Sequence, residues 1–253
     1  MTTHFFGDTT VLLGRSMRHI TRSLDTIITT AIMPIALLLL FVYVFGGAIH
    51  TGSGHYVNYL LPGILLITIA MGISYTAARL FTDMQGGIFE RFQSLPIARS
   101  SALWAHVLTS VISTLISLVI VVLIAVPIGF RSGAGALAWL AVAGIIVLLT
   151  PALTWLAVIA GLSAKTPDGA GAFSYPLIFL PFISSAFVPT DSMPGAVRAF
   201  AENQPVTTIV NTIRDLLSQQ PVGTDIWIAL AWLVGILIVA YTFAMATYRR
   251  KIS

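Results

Sequence analysis

Long stretches without Asp, Glu, Lys or Arg alternate with short charged segments along this chain. A charged side chain at the bilayer centre costs roughly 2.5–3.5 kcal/mol on insertion scales, and about 20 apolar residues are needed to cross the hydrocarbon core. Charge-free runs of this length predict membrane-spanning helices, because lipid offers the backbone no hydrogen-bond partners and alternating strand patterning is absent. The pattern predicts six spans, at residues 27–45, 59–80, 102–130, 136–163, 169–190 and 226–248.

Prolines shape the last third of the predicted bundle. Pro176 and Pro181 lie close together in the fifth span and predict a kinked helix there. Residues 191–225 form the longest stretch between spans, and Pro194 and Pro205 each mark the start of a short amphipathic helix within it. These two helices predict an outer re-entrant hairpin that dips into the membrane interface or caps the bundle.

Residues 8–25 predict an amphipathic helix that lies in the plane of the membrane interface. Apolar side chains recur at spacings of four, three and four, which places them on one stripe. The stripe consists of Leu13, Met17, Ile20 and Leu24. Arg15, Arg18 and Arg22 occupy other faces, where they would meet lipid headgroups.

A second short helix is predicted between spans two and three, in residues 86–97. Gly86 and Gly87 end the preceding helix, and Pro96 stops the short one. Its apolar side chains are Ile88, Phe89, Phe92 and Leu95, beside the charged Glu90 and Arg91. An apolar loop of this kind needs lipid or a protein partner to cover it.

Composition supports a membrane protein that forms a single transmembrane domain over residues 1–253. The chain is 57% hydrophobic and only 9% charged, whereas a soluble domain carries about a quarter charged residues. It contains no cysteine, which excludes disulfides, thiolate catalysis and Cys-ligated metal sites.

The basic residues predict the orientation of the spans. With the N-terminus inside, ten of the thirteen Lys and Arg residues lie on the cytoplasmic side, and only Arg131, Arg198 and Arg214 lie outside. This bias follows the positive-inside rule and places both termini in the cytoplasm. It also explains the net charge of +4 without a nucleic-acid partner.

Two sequence blocks resemble the membrane permease subunits of ABC-2-type transporters, especially their daunorubicin-resistance-like branch. The first block, Gly87–Arg99, resembles the coupling segment of that family, with a glycine, an acid–base pair, a proline and an arginine. The second comprises Phe187–Pro194, Asn203–Thr207 and Arg214, and resembles the family's outer re-entrant segment. Both blocks stand at matching positions relative to the six spans, so the resemblance covers nearly the whole chain.

The resemblance implies a subunit of an ATP-driven exporter in the bacterial plasma membrane. Two permease subunits, identical or paralogous, would form the pathway, and two cytoplasmic ATPase subunits would bind below them. The residues implied to form the coupling helix that seats in the ATPase are Phe89, Glu90, Arg91, Phe92, Leu95 and Pro96. Residues 8–25 would be the interfacial helix of the family.

The energy source is expected in the partner. A P-loop requires the pattern Gly-x-x-x-x-Gly-Lys-Ser/Thr, and neither Lys165 nor Lys251 stands in it. We therefore expect no catalytic residue, metal or cofactor in this chain, with ATP and Mg²⁺ bound by the ATPase subunits.

Aromatic residues on the spans are candidates to line a path for an apolar or amphipathic cargo such as a drug, natural product, lipid or glycan. They are Phe41, Tyr43, Phe45, Tyr75, Tyr175, Phe179 and Phe182. Packing or lipid contact is the alternative role of each one.

Two other classes of protein remain as alternatives. An ion-coupled secondary transporter or channel would carry a membrane-embedded charge, and the centres of the predicted spans hold no acid. An intramembrane enzyme would need Ser74 and His106 to meet, although small residues and serines in spans commonly serve packing.

Overall fold

The computed structural model describes residue 14 and residues 24–49, 55–86 and 101–252. Every regular element in these ranges is helical, which confirms the all-helical prediction for this part of the chain. The elements are α1 (Leu24–Leu40) with a π-helical continuation (Phe41–Phe45), α2 (Tyr56–Gln85), α3 (Ser101–Ile128), α4 (Ala136–Ser163), α5 (Pro167–Ala172), α6 (Tyr175–Phe179), two 3₁₀ turns (Leu180–Ile183 and Thr190–Ser192), α7 (Gly195–Asn203), α8 (Pro205–Leu217) and α9 (Asp225–Ile252).

Four of these helices are long and apolar enough to cross a membrane. They are α2, α3, α4 and α9, and a shorter apolar helix covers Thr30–Phe45. Each of the four overlaps one of the predicted spans. Helices of 26 to 30 residues exceed the length needed to cross the hydrocarbon core. The chain is therefore a multi-pass membrane protein.

Helix α2 is the centre of the bundle. It packs against α1, α3, α4 and α5, and its side chains are buried along most of its length. Leu60, Ile64 and Ile67 are fully buried in the main hydrophobic core. By contrast, only 28% of the residues in the apolar stretch of α3 and 22% in that of α9 are buried, as in helices that face lipid.

Helix α9 packs mainly on α4. The Trp155 ring lies edge-on to Trp104 and to Tyr241, with both centroid distances at 5.0 Å. This geometry is favourable for aromatic rings. At the end of α4, the Lys251 Nζ donates a hydrogen bond to the carbonyl oxygen of Leu162 at 2.5 Å, which places a cation at the negative end of the helix dipole.

Close approach between α2 and α4 depends on Gly161. A Cβ atom built at Gly161 would lie 2.8 Å from the carbonyl oxygen of Ala77, closer than the two atoms can pack. Small residues that allow backbones to approach are a common device of membrane helix pairs. Gly144 lies on the same helix, and a Cβ atom there would meet nothing within 4 Å.

We predict that Gly161→Ala destabilises the bundle by about 1–3 kcal/mol, the usual cost of overpacking. The matched change Gly144→Ala should be neutral or slightly stabilising, because alanine is the better helix former. Thermal unfolding of the two purified variants in detergent measures the difference. Equal stability of both variants would show that the α2–α4 contact is not tight.

The fifth predicted span is not a continuous helix, so the prediction of one kinked helix over residues 169–190 is wrong. The segment is divided into α5, α6 and a 3₁₀ turn. Pro176 and Pro181 each stand at the start of a new element, because proline lacks the backbone N–H that would continue a helix. Serine hydroxyls also donate to main-chain carbonyls near the ends of these elements: Ser174 Oγ donates to the carbonyl oxygen of Gly171 at 2.8 Å, and Ser184 Oγ donates to that of Pro181 at 2.6 Å.

Residues 167–187, which we call the broken segment, run antiparallel to α2. Ser74 Oγ donates to the carbonyl oxygen of Gly171 at 3.0 Å, and Tyr56 Oη donates to that of Phe187 at 2.9 Å. Tyr56 and Ser74 are 18 residues apart on α2, which corresponds to about 27 Å along a helix. Residues 171–187 therefore follow α2 over most of its length.

Candidate functional site

Phenylalanine rings from α1 and from the broken segment meet in one group, which we call the aromatic cluster: Phe41, Phe45, Phe179, Phe182 and Phe187. Phe187 stacks on Phe41 at 4.6 Å and on Phe182 at 4.9 Å between ring centroids. Phe45 lies 5.5 Å from Phe41, and Phe179 lies 6.3 Å from Phe182. The structure thus brings together the predicted residues Phe41, Phe45, Phe179 and Phe182, and adds Phe187.

A cavity of about 390 Å³ lies between α1, α2, α5 and α6; we call it the polar cavity. Its lining includes the predicted Tyr75 and Tyr175, together with Thr30, Ser74 and Asp168. Tyr75 is 45% exposed and Tyr175 is 59% exposed, so both rings are available to a ligand. The carboxylate and hydroxyls of this lining distinguish it from the apolar exposed side chains of α9.

Tyr43 is the exception among the predicted aromatic residues. It lies on the π-helical continuation of α1 and is 70% exposed. It makes no ring contact with the described residues and lines neither the polar cavity nor the aromatic cluster. The structure gives it no contact that supports a role in binding.

Hydroxyl side chains join α3 to α1 and α2. Ser117 Oγ and Thr30 Oγ1 are hydrogen-bonded at 3.1 Å, and Ser110 Oγ is hydrogen-bonded to Thr76 Oγ1. Thr30, Thr76 and Ser110 border a small cavity of about 30 Å³. A pattern in the sequence could have predicted this contact, because the α3 hydroxyls recur on one helical face. They are Thr109, Ser110, Ser113, Thr114 and Ser117.

Charged side chains gather at the C-terminal end of α2. The Asp83 carboxylate lies 3.9 Å from Arg79 Nε and 3.7 Å from His106 Nδ1. Ser74, by contrast, bonds the broken segment through Gly171. The serine and histidine that a hydrolase would have to combine therefore have different partners, and the described contacts do not support an intramembrane enzyme.

Arg214 on α8 fastens the end of the broken segment near Ser185 to α2. Its Nε donates to the carbonyl oxygen of Tyr59 at 3.1 Å, and one terminal nitrogen donates to that of Ser185 at 2.7 Å. The other terminal nitrogen donates to Asn211 Oδ1 at 2.7 Å. The guanidinium also lies 3.7 Å from the centroid of the Tyr59 ring, a cation–π distance. We call this arrangement the arginine clamp.

Burial dominates the electrostatics of the clamp. It lowers the pKa of the Arg214 guanidinium from its ordinary value, while the nearby Tyr59 and Asp215 oppose the shift. Burial likewise raises the pKa of the Asp215 carboxyl. Arginine remains charged in proteins, so the clamp holds a cation in a largely dry site through carbonyl dipoles and a ring.

Asn211 on α8 and Gln204, the residue before α8, support the clamp. Ser185 Oγ donates to the same Asn211 Oδ1 at 2.6 Å, and Gln204 Nε2 donates to the carbonyl oxygen of Ile183 at 2.5 Å. Reasoning from the sequence placed Arg214 in a family block but assigned it no contact. Its partners are mainly backbone carbonyls, which leave no trace in residue types.

The remaining predicted site residues lie outside the described residues. They are Arg15, Arg18 and Arg22 of the interfacial helix, and Phe89, Glu90, Arg91, Phe92, Leu95 and Pro96 of the coupling segment. Their roles stay predictions.

Comparison with known proteins defines the class of this membrane bundle. The family model described as "ABC-2 type transporter" matches residues 8–217, which is most of the chain. The chain therefore belongs to the ABC-2 type transporter family, and it is a membrane permease subunit of an ABC exporter, a system whose ATPase is a partner protein.

Curated relatives agree with this assignment. The chain is 28% identical over 229 residues to the daunorubicin resistance ABC transporter permease protein DrrB1 of Streptomyces coeruleorubidus, covering 89% of this chain and 80% of the relative. It is 27% identical over 252 residues to the probable doxorubicin resistance ABC transporter permease protein DrrC of Mycobacterium tuberculosis. This match covers 97% of this chain and 90% of the relative. The relatives are named as permeases and not as ATPases.

Proposed function

We propose that this chain forms half of an export path for amphipathic small molecules, along the face where α1, α2 and the broken segment meet. The observation that carries the proposal is the juxtaposition of the polar cavity with the aromatic cluster. Tyr175 lines the cavity and Phe179 belongs to the cluster, and they stand at the two ends of the short helix α6. A molecule with polar groups and apolar rings would find both kinds of contact on one surface.

The exposed face of α9 supports this choice by contrast. Its exposed side chains include Trp232, Val234, Ile238, Val239 and Phe243, and the cavity that reaches this helix at Ile236 has a wholly apolar lining. An apolar helix face of this kind suits lipid. The polar cavity belongs to a different environment, either a pathway or a protein interface.

The number of crossings follows from the broken segment. Because residues 171–187 follow α2 for about 27 Å, we infer that they complete a fifth crossing of a core about 30 Å thick. Six crossings place both termini on the same side, and the distribution of basic residues favours the cytoplasm. The outer side then carries α7, α8 and the arginine clamp.

The complex we propose contains two permease subunits, identical or paralogous, and two cytoplasmic ATPase subunits that bind ATP and Mg²⁺. Residues 86–97 seat in the ATPase, and the interfacial helix at residues 8–25 lies beside them. Arg79 and Asp83 precede this segment on α2, and their partner His106 follows it on α3, so motion of the ATPase would reach α2 and α3 first.

The substrate class rests on the site and on the relatives. Their names refer to daunorubicin and doxorubicin resistance, and we extend to this chain a cargo of amphipathic, ring-containing molecules. An aromatic pair contributes about 0.5–1.5 kcal/mol beyond its buried area. Loss of one cluster ring should therefore weaken handling of such a cargo by about two- to tenfold.

We predict that Phe179→Ala lowers ATP-dependent transport of an amphipathic aromatic dye by about two- to tenfold. Phe243→Ala is the matched control, because Phe179 and Phe243 are 61% and 63% exposed but only Phe179 belongs to the cluster. Transport is measured in vesicles that contain the permease and its ATPase at matched amounts. Equal transport by both variants would remove the aromatic cluster from the path.

A further inference from the structure

A second, wholly apolar cleft lies between α3 and α4, away from the proposed path. Its volume is about 280 Å³, and all thirteen lining residues are apolar. Leu61 and Leu65 of α2 form part of its lining, with Leu217 at the end of α8. An apolar cavity of about 150 Å³ is already large enough to bind a benzene ring, so this cleft has room for a larger apolar group.

The cleft opens toward the membrane. Val119, Leu123 and Val147 belong to its lining and are 58%, 63% and 50% exposed. Helices α3 and α4 are both candidate spans, so this exposed surface lies at the depth of the acyl chains. A wholly apolar lining at this depth suits the acyl chain of a lipid.

A cation stands at the rim of the cleft. Arg131 is exposed, and one of its terminal nitrogens donates hydrogen bonds to the carbonyl oxygens of Val126 and Phe130, both at 2.8 Å. Val126 lies about one turn beyond Leu123, which lines the cleft. The guanidinium is thereby held just outside the apolar lining.

Two further contacts fix this loop to the cleft. Ser132 Oγ donates to the carbonyl oxygen of the lining residue Leu217 at 2.9 Å. The ring of Phe130 lies edge-on to the lining residue Trp139 at 6.4 Å, and tryptophan is enriched at membrane interfaces. Among the described side chains, no carboxylate lies within 4.0 Å of the Arg131 guanidinium, so its charge is available to an anion.

We propose that this cleft binds one anionic phospholipid, with an acyl chain between α3 and α4 and the phosphate on Arg131. An apolar cleft at acyl-chain depth, closed at the interface by a tryptophan and an arginine, matches the two ends of such a lipid. The site is separate from the proposed path and does not depend on what the path exports. Its occupant would brace α3 against α4, whose direct contact is limited by the cleft.

The test uses the full permease with its ATPase subunit in vesicles. The probes are phosphatidylglycerol and phosphatidylcholine, each with a photoactivatable diazirine on one acyl chain, and labelled peptides are mapped by mass spectrometry. Ala143 lines the cleft and Ala231 lies exposed on α9, so Ala143→Phe and Ala231→Phe form a matched pair. Ala143→Leu fills less of the cleft and gives a second, milder variant if the phenylalanine disturbs folding.

We expect phosphatidylglycerol to label residues 115–123 and 139–147 preferentially. Ala143→Phe should reduce this labelling at least fivefold, and Ala143→Leu should reduce it by a smaller factor. The control Ala231→Phe should leave it unchanged. Arg131→Gln should reduce the preference for phosphatidylglycerol over phosphatidylcholine about fivefold, which is the effect of one basic residue near an anionic lipid surface. Arg131→Lys should retain most of the preference, because it keeps the charge.

Three results would overturn the proposal. The first is labelling that is equally strong in the Ala143 variants, and the second is equal labelling by the two lipids. The third is crosslinking of the cleft to a second permease copy in the assembled complex without lipid labelling, which would assign it to a protein contact.

Discussion

Replacing Arg214 with glutamine should remove transport and lower the free energy of unfolding by about 2–5 kcal/mol. The guanidinium supplies donors to Tyr59, Ser185 and Asn211, and each buried acceptor left unpaired costs about 1–3 kcal/mol. Glutamine is shorter and cannot reach all three. Because these bonds hold the end of the broken segment near Ser185 against α2, the loss should also loosen the aromatic cluster beside it.

Arg198 provides the matched control for this prediction. It lies on the neighbouring helix α7, where it pairs with Asp191 and Glu202, both at 2.7 Å, and remains 44% exposed. Exposed ion pairs contribute about 0–1 kcal/mol, so Arg198→Gln should leave transport and stability nearly unchanged. Arg214→Lys should recover little of the lost transport or stability, because an ammonium group cannot reproduce the planar arrangement of donors in a guanidinium.

Thermal unfolding in detergent and vesicle transport together measure both arginine variants. A loss of transport with unchanged stability would mean that Arg214 contacts cargo and does not clamp the fold. Full activity of Arg214→Gln would contradict the clamp altogether.

Replacing Phe89 and Phe92 together with alanine should detach the ATPase subunit. Buried aromatic anchors at protein interfaces commonly contribute 2 kcal/mol or more each, so the double variant should bind at least about a hundredfold more weakly. Co-purification of the ATPase with the tagged permease measures this. Gln93→Ala with Ser94→Ala is the control, because it alters polar positions of the same segment.

Undiminished co-purification and transport in the Phe89/Phe92 double variant would exclude residues 86–97 as the ATPase contact. Loss of binding in the double variant but not in the control would assign the contact to the apolar face. The spans themselves are unchanged by either substitution, so both proteins should insert normally.

The four long spans could be predicted from the sequence. A charge-free run of sufficient length is stable in lipid only as a helix that satisfies its own backbone hydrogen bonds. The broken segment at residues 167–187 could be predicted only in part. Pro176 and Pro181 signalled a disturbance, but not the division into three elements or the serine hydrogen bonds near their ends. Those bonds depend on local backbone geometry and not on apolar periodicity.

The candidate site could likewise be predicted only in part. Exposed aromatics on the spans were predicted as a group, and the structure collects four of them into one cluster because Phe41 meets Phe182 and Phe187 across two elements. Which rings meet depends on the register of the broken segment along α2, which residue types do not specify. The arginine clamp was also beyond prediction, since two of its three hydrogen-bond acceptors are main-chain oxygens.

The most direct test of the central claim is transport into inside-out vesicles that contain the permease alone, the ATPase alone, or both. We predict that an amphipathic aromatic dye accumulates only when both proteins and ATP are present, and that an ATPase variant unable to hydrolyse ATP prevents it. Collapsing the proton and sodium gradients should have no effect. Accumulation by the permease alone, driven by an ion gradient, would contradict the account and indicate a secondary transporter.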